Sequence, residues 1–154
     1  MGAKIKDLDY QELNHQLKEW VFISSEKIIE NEKGNIRHIV KASNTAFTTF
    51  GEAYFTEINF NERKGWKKHL KMTLNLITCY GEVLFYFVHP QSGEIFKIMI
   101  SSKNNIRLTV RPGIWFCFEG IGISSNLVLN IASIAHDPSE SENRPLDFYF
   151  GEQE

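Results

Sequence analysis

Apolar positions along this chain fall into short runs, and only one of them has helical spacing. Asp9 and Glu12 stand at the interval of a capping box, and Leu13 and Leu17 then repeat one helical turn apart. This predicts a short helix over Asp9–Glu19. Beyond it the pattern becomes that of strands. Trp20–Ser24 (WVFIS), Ile36–Lys41 (IRHIVK) and Thr45–Phe50 (TAFTTF) are rich in β-branched and aromatic residues, which suit a pleated, half-buried surface. Gly51–Phe60 alternates, placing Ala53, Phe55, Glu57 and Asn59 opposite Tyr54, Thr56, Ile58 and Phe60. Further strands are expected over Lys64–Cys79, Glu82–His89, Ile95–Ser101, Ile106–Val110, Ile114–Gly120 and Asn126–Ala135, with Pro90–Glu94 as a turn. The tail HDPSESENRPLDFYF reads as a polar loop and then a short strand. Many short strands with little helix predict a sandwich or barrel, one β domain over residues 1–154 without linker or repeat.

Composition narrows the class. A chain of 154 residues suits one domain, and 42% hydrophobic residues with 12 phenylalanines exclude a disordered chain. A net charge of −2 argues against a nucleic-acid binder, which is normally basic. Cys79 and Cys117 lie in apolar runs, as buried free thiols of a reducing compartment do, while a disulfide between them stays open. The N-terminal MGAKIKDLDYQEL lacks the apolar core of a signal peptide, and no apolar run is long enough to span a membrane. The expectation is a soluble, cytoplasmic protein with neither nucleic acid nor membrane as partner.

The segment KGWKKHLKM, Lys64–Met72, concentrates charge at the mouth of an apolar strand. Read as one continuous strand, it puts Lys67, His69, Lys71, Thr73 and Asn75 on one face and Trp66, Leu70, Met72, Leu74 and Leu76 on the other. The polar row either faces water, as one side of an antiparallel sheet commonly does, or lines an open barrel. In a barrel the lysines suit an anionic ligand, and His69 is placed to move protons near neutral pH. A catalytic metal is not expected, because one imidazole flanked by ammonium groups is a poor cation site.

Other residues carry weaker signals. Arg107 and Arg111 share a strand face and suit a diphosphate, or else form surface ion pairs. Trp66 and Trp115 offer faces for a base or sugar, or else pack a core or a subunit interface. His136-Asp137-Pro138 reads as a loop turn, since adjacent side chains on extended backbone point apart. No chemistry is assigned to His89.

Three segments, KGWKKHLKMTLNLITCYGEVLFYFV, NNIRLTVRPGIWFCFEGI and NIASIAHDPSE, together resemble in order the dTDP-4-dehydrorhamnose 3,5-epimerase family, in its short divergent branch, over roughly Gly51–Phe150. The resemblance implies an all-β, metal-free cupin jelly roll (a double-stranded β-helix) with a short N-terminal helix, usually a homodimer. Residues 1–50 would supply the helix and strands that can complete a partner's sheet, and residues 51–150 the jelly-roll core. It implies a reaction in which a proton leaves a carbon beside a ketone on a nucleotide-linked sugar and returns on the other face. The family's Arg-Gly-Leu-His motif is here Lys64-Gly65-Trp66-Lys67, so lysine stands at the base position. The proton-donor tyrosine falls near Asn130, and the histidine of the glycine-turn motif, Arg111-Pro112-Gly113-Ile114-Trp115, is replaced by Phe116.

The resulting expectation is an epimerase or isomerase, without metal or other cofactor, acting on a nucleotide-linked 4-keto sugar in surface polysaccharide synthesis. Lys67 and His69 are its candidate catalytic residues. Lys64, Lys71, Asn75, Arg107, Asn130 and Trp115 are the candidate substrate-binding residues. The rival expectation is a non-catalytic sugar or nucleotide-sugar binding cupin, which needs only cations and aromatic faces.

Overall fold

The computed structural model describes residues 4–151. Strand β1 (Ile5–Asp7) precedes helix α1 (Tyr10–Gln16), and β2 (Val21–Ser25) follows it. A small hairpin, β3 (Ile28–Ile29) and β4 (Ile36–Arg37), leads to β5 (Glu52–Glu57) and β6 (Arg63–His69). Then come β7 (Leu74–Tyr80), β8 (Glu82–Val88), β9 (Ile95–Ser101), β10 (Ile106–Val110), β11 (Trp115–Gly120) and β12 (Leu127–Ala132). A 3-10 turn (Pro138–Glu140), β13 (Ser141–Asn143) and helix α2 (Asp147–Phe150) close the described chain.

Two sheets face one another. One has the order β1-β9-β8-β11-β6-β13 and the other β2-β10-β7-β12-β5. All pairings within them are antiparallel except β1 with β9. This is the jelly roll that the resemblance implies, and a sandwich of the kind that the strand spacing predicts. Their facing sides bury one core, including Phe85, Phe87, Phe96, Ile98, Leu76 and Leu108. Each fully buried phenylalanine contributes about 1.5–3 kcal/mol. The outer side of the six-stranded sheet carries a second cluster, in which Trp66, Tyr86, Trp115 and Cys117 pack beneath Tyr149 and Phe150. Both cysteines are free, and burial pushes the Cys117 thiol up to about 12.

Helix α1 begins at Asp9 with a complete capping box to Glu12 and buries Leu13, as its sequence implies. The strands expected over Ile36–Lys41 and Thr45–Phe50 are largely absent. Only Ile36–Arg37 pairs, and Thr45–Phe50 is turn and coil. This segment instead carries the chain from β2 at one edge of the five-stranded sheet to β5 at the other. Its hydrogen bonds go to single sites, Asn105 Nδ2 to the His38 carbonyl and Thr49 Oγ1 to the Ser133 carbonyl, so its β propensity finds no ladder. The expected terminal strand at DFYF is helical, while the polar run before it supplies β13.

The expected single strand Lys64–Cys79 is two strands. The chain bends at Leu70–Thr73, and β6 and β7 enter different sheets. The alternation therefore does not run through. Lys67 and His69 point between the sheets from β6, whereas on β7 it is Leu74 and Leu76 that do so. An irregularity in β6 at Gly65–Lys67, where Phe116 pairs with Lys67 and Cys117 with Gly65, shifts the phase again. Gly65 has φ +145°, and a Cβ there would lie 2.9 Å from the Cys117 Cα and the Phe116 carbonyl, so only glycine fits.

Candidate active site

At one end of the interior the sheets part around a cavity of about 280 Å³. Strand β6 lines one wall with Lys64, Lys67 and His69, joined by Phe116 and Phe118 of β11 and Asn143 of β13. The opposite wall is Leu74 and Leu76 of β7, Asn130 of β12, and Tyr54 and Thr56 of β5.

His69 is buried, with 6% of its surface exposed, and stacks on Phe116 with ring centroids 5.9 Å apart. Its Nδ1 lies 2.5 Å from Oε1 of Glu140, which is 2% exposed. The second carboxylate oxygen, Oε2, accepts from the backbone N–H of Met72 at 3.1 Å and of Lys71 at 3.3 Å. Glu140 is delivered by the 3-10 turn, which Asp137 caps by accepting from the Ser139 N–H.

The charges follow from these contacts. Burial lowers the His69 pKa below its ordinary value, outweighing the opposing pull of Glu140, and the ammonium of Lys67 lowers it further. For Glu140, burial acts to raise the pKa but is outweighed by the hydrogen bonds from His69, Met72 and Lys71, so its carboxyl lies below the usual range. Near neutral pH the pair is thus a carboxylate and a neutral imidazole. Nδ1 carries the proton and donates it to Glu140, which fixes the tautomer and leaves the Nε2 lone pair as a base. Nε2 makes no hydrogen bond with the described residues.

Across the cavity Tyr54 and Asn130 are register partners, and Asn130 Nδ2 donates to the Tyr54 hydroxyl at 2.9 Å. Asn130 is 1% exposed, and its Oδ1 has no partner among the described residues. A second, more open cleft of about 410 Å³ lies beside α2, but its Arg63 and Glu119 are engaged with each other. Among the described residues no three His, Cys, Asp or Glu side chains gather to hold a metal ion.

This architecture matches solved enzymes. The dTDP sugar isomerase from Desulfovibrio desulfuricans aligns with a TM-score of 0.77 and 29% identity, over 84% of this chain and 87% of that one. The sugar 3,4-ketoisomerase QdtA from Thermoanaerobacterium thermosaccharolyticum, in complex with TDP, aligns at 0.70 and 21%, over 84% and 91%. The dTDP-4-dehydrorhamnose 3,5-epimerase from Elizabethkingia anophelis aligns at 0.69 and 10%, over 86% and 80%. The chain has the RmlC-like cupin fold. No protein-family model matches the sequence, and no curated protein does.

Within this RmlC-like cupin the residues singled out from sequence separate cleanly. Lys64, Lys67, His69 and Asn130 meet in the cavity. Five others lie elsewhere. The Lys71 side chain stands on the bend after β6, exposed and outside the lining. Asn75 points away from the cavity because its neighbours Leu74 and Leu76 point in; it accepts from Thr109 Oγ1 at 2.9 Å. Arg107 is on that same outer side, 2% exposed, with Nε 3.1 Å from Glu26 Oε1, so it is no phosphate ligand in the cavity. Trp115 is on the far side of the six-stranded sheet, where Arg144 and Lys68 cover its ring. Trp66 is a core residue, fully buried and donating from Nε1 to the Leu146 carbonyl. Glu140 and Tyr54 were not singled out. Glu140 sits in a run that reads as polar loop, and Tyr54 in an alternation that says nothing of which face is inner.

Proposed function

We propose that this chain is an isomerase or epimerase of nucleotide-linked 4-keto sugars, working by acid–base chemistry of its own side chains. The observation that carries the reading is the Glu140-backed, neutral His69 imidazole inside a cavity of the RmlC-like fold. In this reading His69 Nε2 removes the proton from the carbon beside the ketone, and Glu140 holds the ring and steadies the imidazolium that forms. The ammonium groups of Lys64 and Lys67 supply positive charge for the substrate's diphosphate and for the enolate. The sequence-matched base position is Lys67, but His69 holds the geometry of a base, so the apparent loss of that group is a displacement along one strand wall. The neighbours support the substrate class. QdtA was crystallised with TDP, and a variant of it with TDP-4-keto-6-deoxyglucose. A binding-only role leaves the buried carboxylate–imidazole pair without a purpose.

The test is NMR in heavy water with TDP-4-keto-6-deoxyglucose. Exchange of a proton beside the ketone, abolished in His69→Asn, is the expected result. Ligand binding with no exchange in the unmodified protein refutes it. A homodimer, with residues 1–50 contributing to the interface, belongs to the same proposal. So do a cytoplasmic location and a place in surface polysaccharide synthesis. The exposed Phe55 on edge strand β5 and Phe22 on edge strand β2 support the dimer, which sedimentation would test. Among the described residues no helix is long and apolar enough to cross a membrane.

A further inference from the structure

The carboxylate behind His69 arrives on a strap whose other end is held on the outer side of the sheet. From Glu140 onward the chain lies along β6 and bonds to it in unbroken register. The Leu70 N–H donates to the Glu140 carbonyl at 2.7 Å. Ser141, Glu142 and Asn143 pair with His69, Lys68 and Lys67. Arg144 and Trp66 then exchange both backbone bonds, at 3.0 and 3.1 Å. Alternation along the strap divides its side chains. Asn143 reaches the cavity, whereas Glu142 and Arg144 turn to the outer face, where Glu142 meets Lys68 at 3.3 Å.

This strap has little reason of its own to be a strand. Glu and Asn are poor β formers, the run is three residues long, and it lies at the edge of the six-stranded sheet. Arg144 supplies the hold that the run lacks. Its guanidinium carbon sits 4.3 Å from the Trp115 ring centroid and 4.2 Å from that of Phe148, and its Nη1 donates to the Tyr149 hydroxyl. A cation over aromatic faces is attracted by their negative π clouds, more strongly where water is excluded. Trp66 closes the same end, donating from Nε1 to the Leu146 carbonyl at 3.1 Å. The strap is thus pinned at Glu140 behind His69 and at Arg144 on the outer face, with about 13 Å of extended chain between them.

Resting on the isomerase reading above for its consequence in turnover, we propose that Arg144 is a positioning residue, which holds the strap in register and so keeps the Glu140 carboxylate on His69 Nδ1. Arg144 lies outside the cavity lining and acts through Glu140. A strap that lifts or slips at Arg144 draws the carboxylate off Nδ1. The ring is then free to turn, and the imidazolium that forms in the reaction loses the charge that steadies it.

The experiment reads the His69 Nδ1–H signal of the full chain by NMR in ordinary water, assigned by its loss in His69→Asn. It also measures kcat and KM for proton exchange on TDP-4-keto-6-deoxyglucose in heavy water. The amide spectrum of each variant reports its folding. The unmodified chain is expected to show the Nδ1–H signal downfield, as a hydrogen bond to a carboxylate requires. Arg144→Met should lose that signal and lower kcat about tenfold to a hundredfold with KM nearly unchanged. Arg144→Lys, which keeps the cation, should retain the signal and most of kcat. Phe148→Leu removes one exposed ring beside Arg144 and should weaken both in lesser degree, which keeps the test open if Arg144→Met does not fold. Arg63→Met is the control. Arg63 lies over the Phe150 ring of the same helix α2 but bonds to Glu119, so its loss should leave the signal in place.

Four outcomes overturn the proposal. They are an unchanged signal in folded Arg144→Met or in Phe148→Leu, equal loss of the signal in Arg63→Met, its absence from the unmodified chain, or a raised KM at constant kcat in Arg144→Met. Signals that change as expected while the unmodified chain shows no proton exchange overturn the isomerase reading alone and support the hold of Arg144 on Glu140.

Discussion

His69 and Glu140 are 71 positions apart in the chain, and their side chains meet at 2.5 Å where His69 lines the cavity. The bend after β6 and the pairing of β13 with β6 bring them together, with Ser141 opposite His69 in the register. The carboxylate is anchored by two backbone N–H groups, so it is fixed before any substrate arrives.

That anchoring predicts the effect of removing it. Glu140→Ala leaves the Met72 N–H and His69 Nδ1–H buried without acceptors and is expected to destabilise the fold by about 1–3 kcal/mol in urea denaturation. Glu140→Gln keeps the shape but removes the charge. It should lower kcat more than it changes KM, because the imidazolium forms only as the proton is taken. An unchanged kcat in Glu140→Gln would show that the pair has no part in turnover.

The lowered pKa of His69 gives a pH dependence of definite sign. The neutral ring is the base, so the rate of proton exchange should rise with pH through an inflection below the ordinary value of 6.5 and then stay level through neutrality. Stability shifts in the same direction. As pH falls below 6.5 the unfolded chain takes up the His69 proton before the native protein does, so native stability is full above 6.5 and is lost as pH falls toward the native pKa. Glu140, also lowered, extends the loss on further acidification below its ordinary 4.5. Denaturation midpoints measured from pH 8 downward check both signs.

Lys64 and Lys67 are the cavity's two ammonium groups, and each should matter to binding through charge. Replacing either with alanine is expected to weaken affinity for a TDP-sugar about tenfold, with a smaller dependence on salt than in the unmodified protein. Calorimetric titration at low and high ionic strength measures both. Equal affinity in both variants would place the diphosphate elsewhere.

Gly65 is the backbone requirement of this wall. Gly65→Ala combines a left-handed backbone with a Cβ driven against Cys117 and Phe116. It should cost at least about 1 kcal/mol and displace Lys64 and Lys67 from the cavity. Thermal unfolding together with TDP-sugar affinity tests this, and a variant of normal stability and affinity would contradict it.

The chain's own residues determined the class and the outline. Short β-branched and aromatic runs mark the strands of the two sheets, though not Thr45–Phe50, which forms none; Asp9 and Glu12 start the helix, and the alternation Tyr54–Thr56 correctly placed two side chains on one face. The crowding of Lys64, Lys67 and His69 already marked one wall of the cavity. Only the tertiary structure decided which side of each strand is inner. Alternation has a period of two and no origin, so a bend at Leu70–Thr73 was enough to move Asn75 outward and Leu74 inward, and an irregularity at Gly65 put Lys64 on the same wall as Lys67. It also decided the chemistry. Arg107 carries a phosphate-binder's side chain but pairs it with Glu26, and Phe116, which the resemblance sets in a histidine's place, stacks on His69. Glu140 and Asn130 act through neighbours far away in the chain. No local pattern encodes such distances, because they are set by which strands pair and how the two sheets close.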